Sequence, residues 1–160
     1  MPEIFAPYYR RLALHTLLAL LSAALLLLAL PRFDLYWLAP FALAPLLVAL
    51  ANTPTGWLRF LYGWCAGIFF WFFLCTWIQF VLEVHGGMGA WGGWGSFLLF
   101  AVLKGLHLAV FGWLAGPLMR RAYAVPLVAA LWTGLERPHG NFGFALLDLG
   151  NAGIDMSVPL

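Results

Sequence analysis

The sequence predicts an all-α protein, a multi-pass transmembrane helical bundle of about five spans with its N-terminus in the cytoplasm. Two observations carry that prediction. The chain is 64% hydrophobic and 9% charged, against roughly 45–50% apolar and about 25% charged in an ordinary soluble domain, so it has too little polar surface to face water. Its few Asp, Glu, Lys and Arg residues are also spaced so that several intervals reach the roughly 20 apolar residues that a helix needs to cross about 30 Å of hydrocarbon.

Residues 12–30 form the first span. They carry no charge, only His15, Thr16 and Ser22 as polar interruptions, and stop at Pro31-Arg32-Phe33-Asp34. The run is longer than the apolar core of a signal peptide and no small-x-small cleavage site precedes Pro31, so it reads as a mature helix. The second span, 36–51, holds Pro40 and Pro45, which predict a kink. It ends in the turn chemistry of Asn52-Thr53-Pro54-Thr55-Gly56, and is short enough either to cross or to re-enter. The third, 60–82, is the longest uncharged run and is dense in Phe and Trp.

A glycine-rich connector over 85–95 leads into the fourth span, 96–119, whose single charge is Lys104 and which stops at Arg120-Arg121. The fifth, 122–135, is broken by Glu136-Arg137-Pro138-His139-Gly140. Domain organisation is therefore a bundle over 1–135, followed by a periplasmic or interfacial segment over 136–160. The last residues carry no closing basic anchor, which predicts a fragment that leads into a further C-terminal part. Short cytoplasmic loops are enriched in Lys and Arg. With the N-terminus inside, Arg10, Arg11, Arg59, Arg120 and Arg121 fall on that side and only Arg32 and Arg137 face out.

The net charge of +2 comes from scattered residues and excludes a nucleic-acid partner. Cys65 and Cys75 lie in one apolar run; a helix separates them by about 15 Å, beyond disulfide reach, and they read as small buried hydrophobes. The four histidines and two cysteines lack the short spacings of zinc ligands, so no metal site is expected. Gly87-Met88-Gly89-Ala90-Trp91-Gly92 fits GxGxxG, but it joins two membrane spans rather than a strand and a helix; it reads as a flexible connector with Trp91 and Trp94 at headgroup level. Gly63/Gly67 and Gly112/Gly116 have the small-xxx-small spacing of close helix contacts.

Lys104 carries a different signal, because an ammonium group inside the bilayer costs a few kcal/mol and faces a bundle interior, a partner or a water-filled cavity. His107 lies on the same helical face, so the two form a candidate intramembrane polar site, set against a lysine that snorkels or pairs structurally. Glu83 and His85 close the third span, and Glu136 and His139 the fifth, which puts both pairs at one outer interface. With Trp77 they are candidate contacts for a polar headgroup or an amine, set against solvated loop ends. No nucleophile, base and orienting group can be assembled into a catalytic set.

Trp77-Ile78 followed by Glu83-Val84-His85-Gly86-Gly87 resembles the pattern after the third helix of the apolipoprotein N-acyltransferases. Ala129-Ala130-Leu131-Trp132, Glu136, Gly140, Phe142-Gly143-Phe144 and Leu149-Gly150 are similar to that family's Ala-Leu-Trp, Glu-Trp-x-x-Gly, Phe-Pro-Trp and Leu-Gly series. The early hairpin with Pro40, Leu43, Ala44, Pro45 and Leu46 is similar too. Arg137-Pro138-His139 departs from the usual Trp-containing stretch, and Gly143 stands where proline is common.

The resemblance covers nearly the whole chain and implies the family's N-terminal membrane part, set in the bacterial inner membrane. The implied whole enzyme acylates the lipid-modified N-terminal cysteine of lipoproteins with phospholipid as donor, using a glutamate, a lysine and a cysteine of a nitrilase-like periplasmic domain. None of those three maps onto this chain, so it is expected to hold no catalytic residue, to need no cofactor and to be inactive by itself. The implied partners are membrane phospholipids and, through the further domain, the lipoprotein substrate. The alternative from another class is a small non-enzymatic transporter or complex subunit in which Lys104 and His107 line a polar path.

Overall fold

The computed structural model of the chain describes residues 2–30 and 32–139, and the side chains of 8–30 and 32–136 among them. The described part is all helix and turn. The predicted segment over 136–160 therefore lies almost wholly outside the described residues.

Helix α1 runs Pro2–Ala29. Ala19, Ser22, Ala23, Leu26 and Leu27 recur every three or four residues and are buried, while Leu14, Leu17 and Leu21 are exposed. Both faces are thus apolar, the pattern of a helix whose outer surface meets lipid rather than water. The chain then turns through Asp34 at φ 57°, with the Phe33 and Asp34 amides both donating to the Leu30 carbonyl at 3.0 Å. Asp is among the few residues that adopt this left-handed conformation readily.

The proline-bearing segment is broken rather than bent. A 3₁₀ turn at Tyr36–Leu38 precedes α2 (Ala39–Ala42) and α3 (Ala44–Ala51), and Pro40 and Pro45 each sit in a first turn, where a missing N–H costs nothing. The buried Ser22 hydroxyl of α1 donates to the Ala42 carbonyl at the break, at 2.5 Å. Even fully helical, residues 36–51 would extend only about 24 Å, less than the hydrocarbon is thick.

The largest unit is an antiparallel pair. Helix α4 (Gly56–Leu74) stops at Cys75 and Thr76; α5 (Trp77–Phe80) and a π-helical turn (Val81–His85) continue the same arm to Gly86. Helix α6 (Gly89–Leu118) returns beside it. The sequence predicts one unbroken span over 60–82 and a loop over 85–95. The chain instead breaks the first and keeps helix almost throughout the second, with Gly87 and Gly89 at φ 64° and 66° making the reversal.

Glycines let these two helices touch backbone to backbone. A Cβ at Gly67 would stand 2.5 Å from the Gly105 carbonyl oxygen, one at Gly105 2.8 Å from the Ile68 nitrogen, and one at Gly112 2.6 Å from the Arg59 carbonyl oxygen; one at Gly63 would run into the Leu108 carbonyl. No larger residue fits these positions at this separation, which is the small-residue packing used by membrane helices. Helix α7 (Ala124–His139) leans on α6 through Trp132, whose ring meets Phe111 edge-on at 5.1 Å.

Among the described residues three helices, Tyr8–Ala29 within α1, α4 and α6, are long and apolar enough to cross a membrane, and the apolar helices at Tyr36–Ala51 and Ala124–Glu136 are shorter. The architecture is an all-α membrane helical bundle.

Candidate functional site

Arg10, Arg11, Arg59, Arg120 and Arg121 gather at the end of the bundle where α1, α4 and α7 begin and α6 finishes. Helix α6 has 30 residues, about 45 Å, against about 30 Å of hydrocarbon. A tilt of up to about 40° still leaves it longer than the apolar layer. With Arg120 and Arg121 holding one end at an interface, the excess falls at the opposite tip, residues 77–96. Trp91 is 94% exposed there, and Trp77, Phe80, Val84, Met88 and Trp94 are exposed as well.

The break below this tip has an identifiable cause. Beyond Leu74 the helical ladder gives way to shorter bonds, Ile78 amide to Cys75 carbonyl at 2.9 Å and Gln79 amide to Thr76 carbonyl at 3.2 Å. The carbonyls released at the end of α4 find other donors: Thr76 Oγ1 bonds Phe72 O at 2.9 Å and Phe73 O at 3.3 Å, and Arg32 Nη1 reaches Phe73 O at 3.4 Å. Arg32, which the sequence places in an outer loop, thus ties the α1 exit to the end of α4.

Glu83 and His85 stand on the π-helical turn, closed by the Gly86 amide on the Val81 carbonyl at 2.9 Å. Such turns recur at functional positions. Glu83 is half-buried, accepts a hydrogen bond from Gln79 Nε2, and lies against Gly93 of α6, where a Cβ would come within 2.9 Å of its own. His85 is exposed, with its ring edge-on to Phe80 at 5.9 Å. Trp77 occupies the other end of the same short arm. Glu136 is half-buried on α7, whereas Glu83 and His85 are joined to Gln79 and Phe80 of their own arm. The His139 side chain lies outside those described.

Lys104 and His107 turn toward α4. Lys104 Nζ stands over the ring of Trp71, 5.4 Å from its centroid, a cation–π arrangement that strengthens when water is excluded. Trp71 is 1% exposed. His107 Nδ1 is 2.7 Å from the Lys104 carbonyl and 3.4 Å from Trp71 Nε1. One ring nitrogen cannot donate to the first and accept from the second, and the shorter contact sets Nδ1–H on the carbonyl. Measured along α6, Lys104 is about 21 Å from the arginine-rich end, in the half of the bilayer nearer the tip. The structure brings Lys104, His107 and Trp71 together and leaves Trp77, Glu83 and His85 as a separate group above them. Among the described residues no three His, Cys, Asp or Glu side chains converge as metal ligands would.

Two features escape a reading of the sequence. Arg59, counted there as a loop charge, is 6% exposed: its Nε donates to the Thr53 carbonyl and its Nη2 to the Pro54 carbonyl, both at 2.7 Å. Its position in the series Arg59, Tyr62, Gly63, Ala66, Gly67, Phe70, Trp71, all buried, is the signal that could have found it. Cys65 falls off that series and is exposed to the surroundings of the bundle, so the reading of both cysteines as buried holds only for Cys75. The second feature is an apolar groove of about 580 Å³ between α2–α3 and α7, lined by Pro40, Leu43, Leu47, Met119, Val128 and Trp132 among others.

Residues 22–158 match the family model described as the apolipoprotein N-acyltransferase N-terminal domain. No curated protein matches the chain.

Proposed function

From the premise that this chain belongs to the apolipoprotein N-acyltransferase family through its N-terminal membrane domain, we propose that it is the membrane-anchoring and lipid-access portion of an enzyme that N-acylates the lipid-modified N-terminal cysteine of lipoproteins. Phospholipid is the acyl donor in this reading. The chain sits in a bacterial inner membrane with its arginine-rich end in the cytoplasm, as the enrichment of basic residues on that side favours.

The observation that carries the lipid-access reading is the groove between α2–α3 and α7. Both of its walls are short apolar helices, suited to a surrounding medium of lipid tails. Its lining offers no charge to a ligand, as suits an acyl chain. Trp77, Glu83 and His85, on the tip that outreaches the hydrocarbon, are the groups suited to a polar headgroup or an amine at the outer surface. Cys65, Cys75 and Lys104 lie within or beside the spans and take no part in acyl transfer.

The groove is tested with a phosphatidylethanolamine that carries a photoactivatable group midway along one tail, using the chain in native membranes. Cross-links are expected to concentrate on α3 and α7, and Val128→Trp to reduce them severalfold. Uniform labelling of α1 around Leu14, Leu17 and Leu21, unaffected by Val128→Trp, would remove the support. The transfer reaction is tested by mass spectrometry of lipoprotein N-termini in cells depleted of their own N-acyltransferase and expressing the gene that encodes this chain. Appearance of the N-linked acyl group supports the reading, and its absence despite stable protein counts against it.

A further inference from the structure

A second cavity, of about 190 Å³, lies at the arginine-rich end, between the start of α1, the α3–α4 turn and the first turn of α4. Four observations give it a chemistry. Arg11 and His15 of α1 line it, one turn apart, and among the described residues no acidic side chain does. His15 Nδ1 is 3.1 Å from Thr53 Oγ1, which itself donates to the Ala49 carbonyl at 2.7 Å; the hydroxyl proton being spent, Nδ1–H must be the donor to Oγ1. Tyr62 of α4 stands edge-on to the His15 ring, 5.7 Å between centroids, and is also part of the wall.

The third observation is the end of α4. Thr55 caps it without any side-chain hydrogen bond, so the first-turn amides have no capping acceptor, and Thr55 and Leu58 border the cavity. An uncapped helix N-terminus favours negative charge through both its amides and its dipole. Finally, the buried Arg59 guanidinium holds the carbonyls of Thr53 and Pro54, so the carbonyl oxygens of these two lining residues are engaged rather than left bare to an anion.

We propose that this cavity is a phosphate-binding site and that it takes the phosphodiester of an anionic phospholipid. Arg11 supplies a fork of donors matched to phosphate oxygens, with Tyr62, His15 and the α4 amides completing the cradle. The lipid, rather than free phosphate, is favoured by the setting. Leu12 and Leu58 share the lining, exposed Tyr9, Leu14 and Trp57 flank it, and the arginine-rich end is the side at which basic groups meet anionic lipid headgroups. The site is independent of the acyl-transfer reading and of the groove beside α7.

Native mass spectrometry of the detergent-purified chain, titrated with phosphatidylglycerol or with diacylglycerol of the same tails, tests it. Phosphatidylglycerol is expected to be retained and diacylglycerol lost. Arg11→Gln and Tyr62→Phe are each expected to weaken retention about tenfold, the loss that follows from removing one hydrogen bond to a charged group. Arg121→Gln, at the same end but outside the cavity, is expected to change it less than twofold. Equal retention of the two lipids, or an equal loss with Arg121→Gln, overturns the proposal. Displacement of the lipid by millimolar inorganic phosphate supports the phosphate chemistry but overturns the lipid as its source.

Discussion

The two halves of the α4–α6 pair are held together by opposite means. Toward the arginine-rich end the helices meet through Gly63, Gly67, Gly105 and Gly112, close enough that a single methyl would collide with backbone. Toward the tip they are kept apart by rings: Phe72 lies 5.3 Å from Phe97 and 6.4 Å from Trp94, and Trp71 meets Phe100 edge-on at 6.0 Å. Lipid tails solvate a leucine as well as a neighbouring helix does, so membrane helices gain from close contact and complementary shape rather than from hiding apolar area. The glycine half uses contact to fix one geometry. The aromatic half fills a wider separation, and it is the half that tolerates the helix break, the π-helical turn and Lys104.

Substitutions that exchange the two regimes test this contrast. Gly67→Leu forces a side chain into the Gly105 backbone and is expected to destabilise the bundle by about 3 kcal/mol or more, read as a shift in reversible unfolding in lipid vesicles; a change under about 1 kcal/mol would mean that the helices separate at no cost. Next in size is Arg59→Leu, which leaves the buried Thr53 carbonyl and the part-buried Pro54 carbonyl without this donor and should cost about 2–3 kcal/mol by the same measurement. Arg59→Lys, which reaches fewer acceptors, should fall between the two proteins. Phe97→Leu removes ring contacts from a site with more room to adjust and is expected to cost about 1 kcal/mol. Smallest is His85→Ala at the exposed tip, within about 0.5 kcal/mol, so any larger effect of that change on lipid or lipoprotein handling is a functional one.

Much of this was legible in the residues. The long apolar helices around residues 12–29 and 96–118, the disruption at Pro40 and Pro45 and the small-xxx-small spacings follow from length, proline chemistry and spacing, and the family was visible in an ordered series of weak motifs. Other features were not, for physical reasons that differ. Hydropathy averages over a span, so the break at Cys75 and Thr76, which depends on where a few carbonyls find donors, is not resolved within a long uncharged run. Glycine is penalised in isolated helices, a preference that tertiary contact overrides; residues 89–95 are helical where propensity reads loop, with Gly93 packed close against Glu83 and the Gln79 carbonyl. Arg59 was counted as an interfacial charge because a charge near a span end reads as solvated, and its burial is evident only once its two carbonyl partners are seen. Among the candidate site residues, the spacing of Lys104 and His107 anticipated a shared face, but nothing in the sequence pointed to Trp71 as the surface they meet.

The reversal between the π-helical turn and α6 spans only Gly86–Met88. A connection that short leaves no slack for one arm to shift along the other. The hairpin is therefore held to one register, because slipping either arm along the other would drive the glycine contacts into collision.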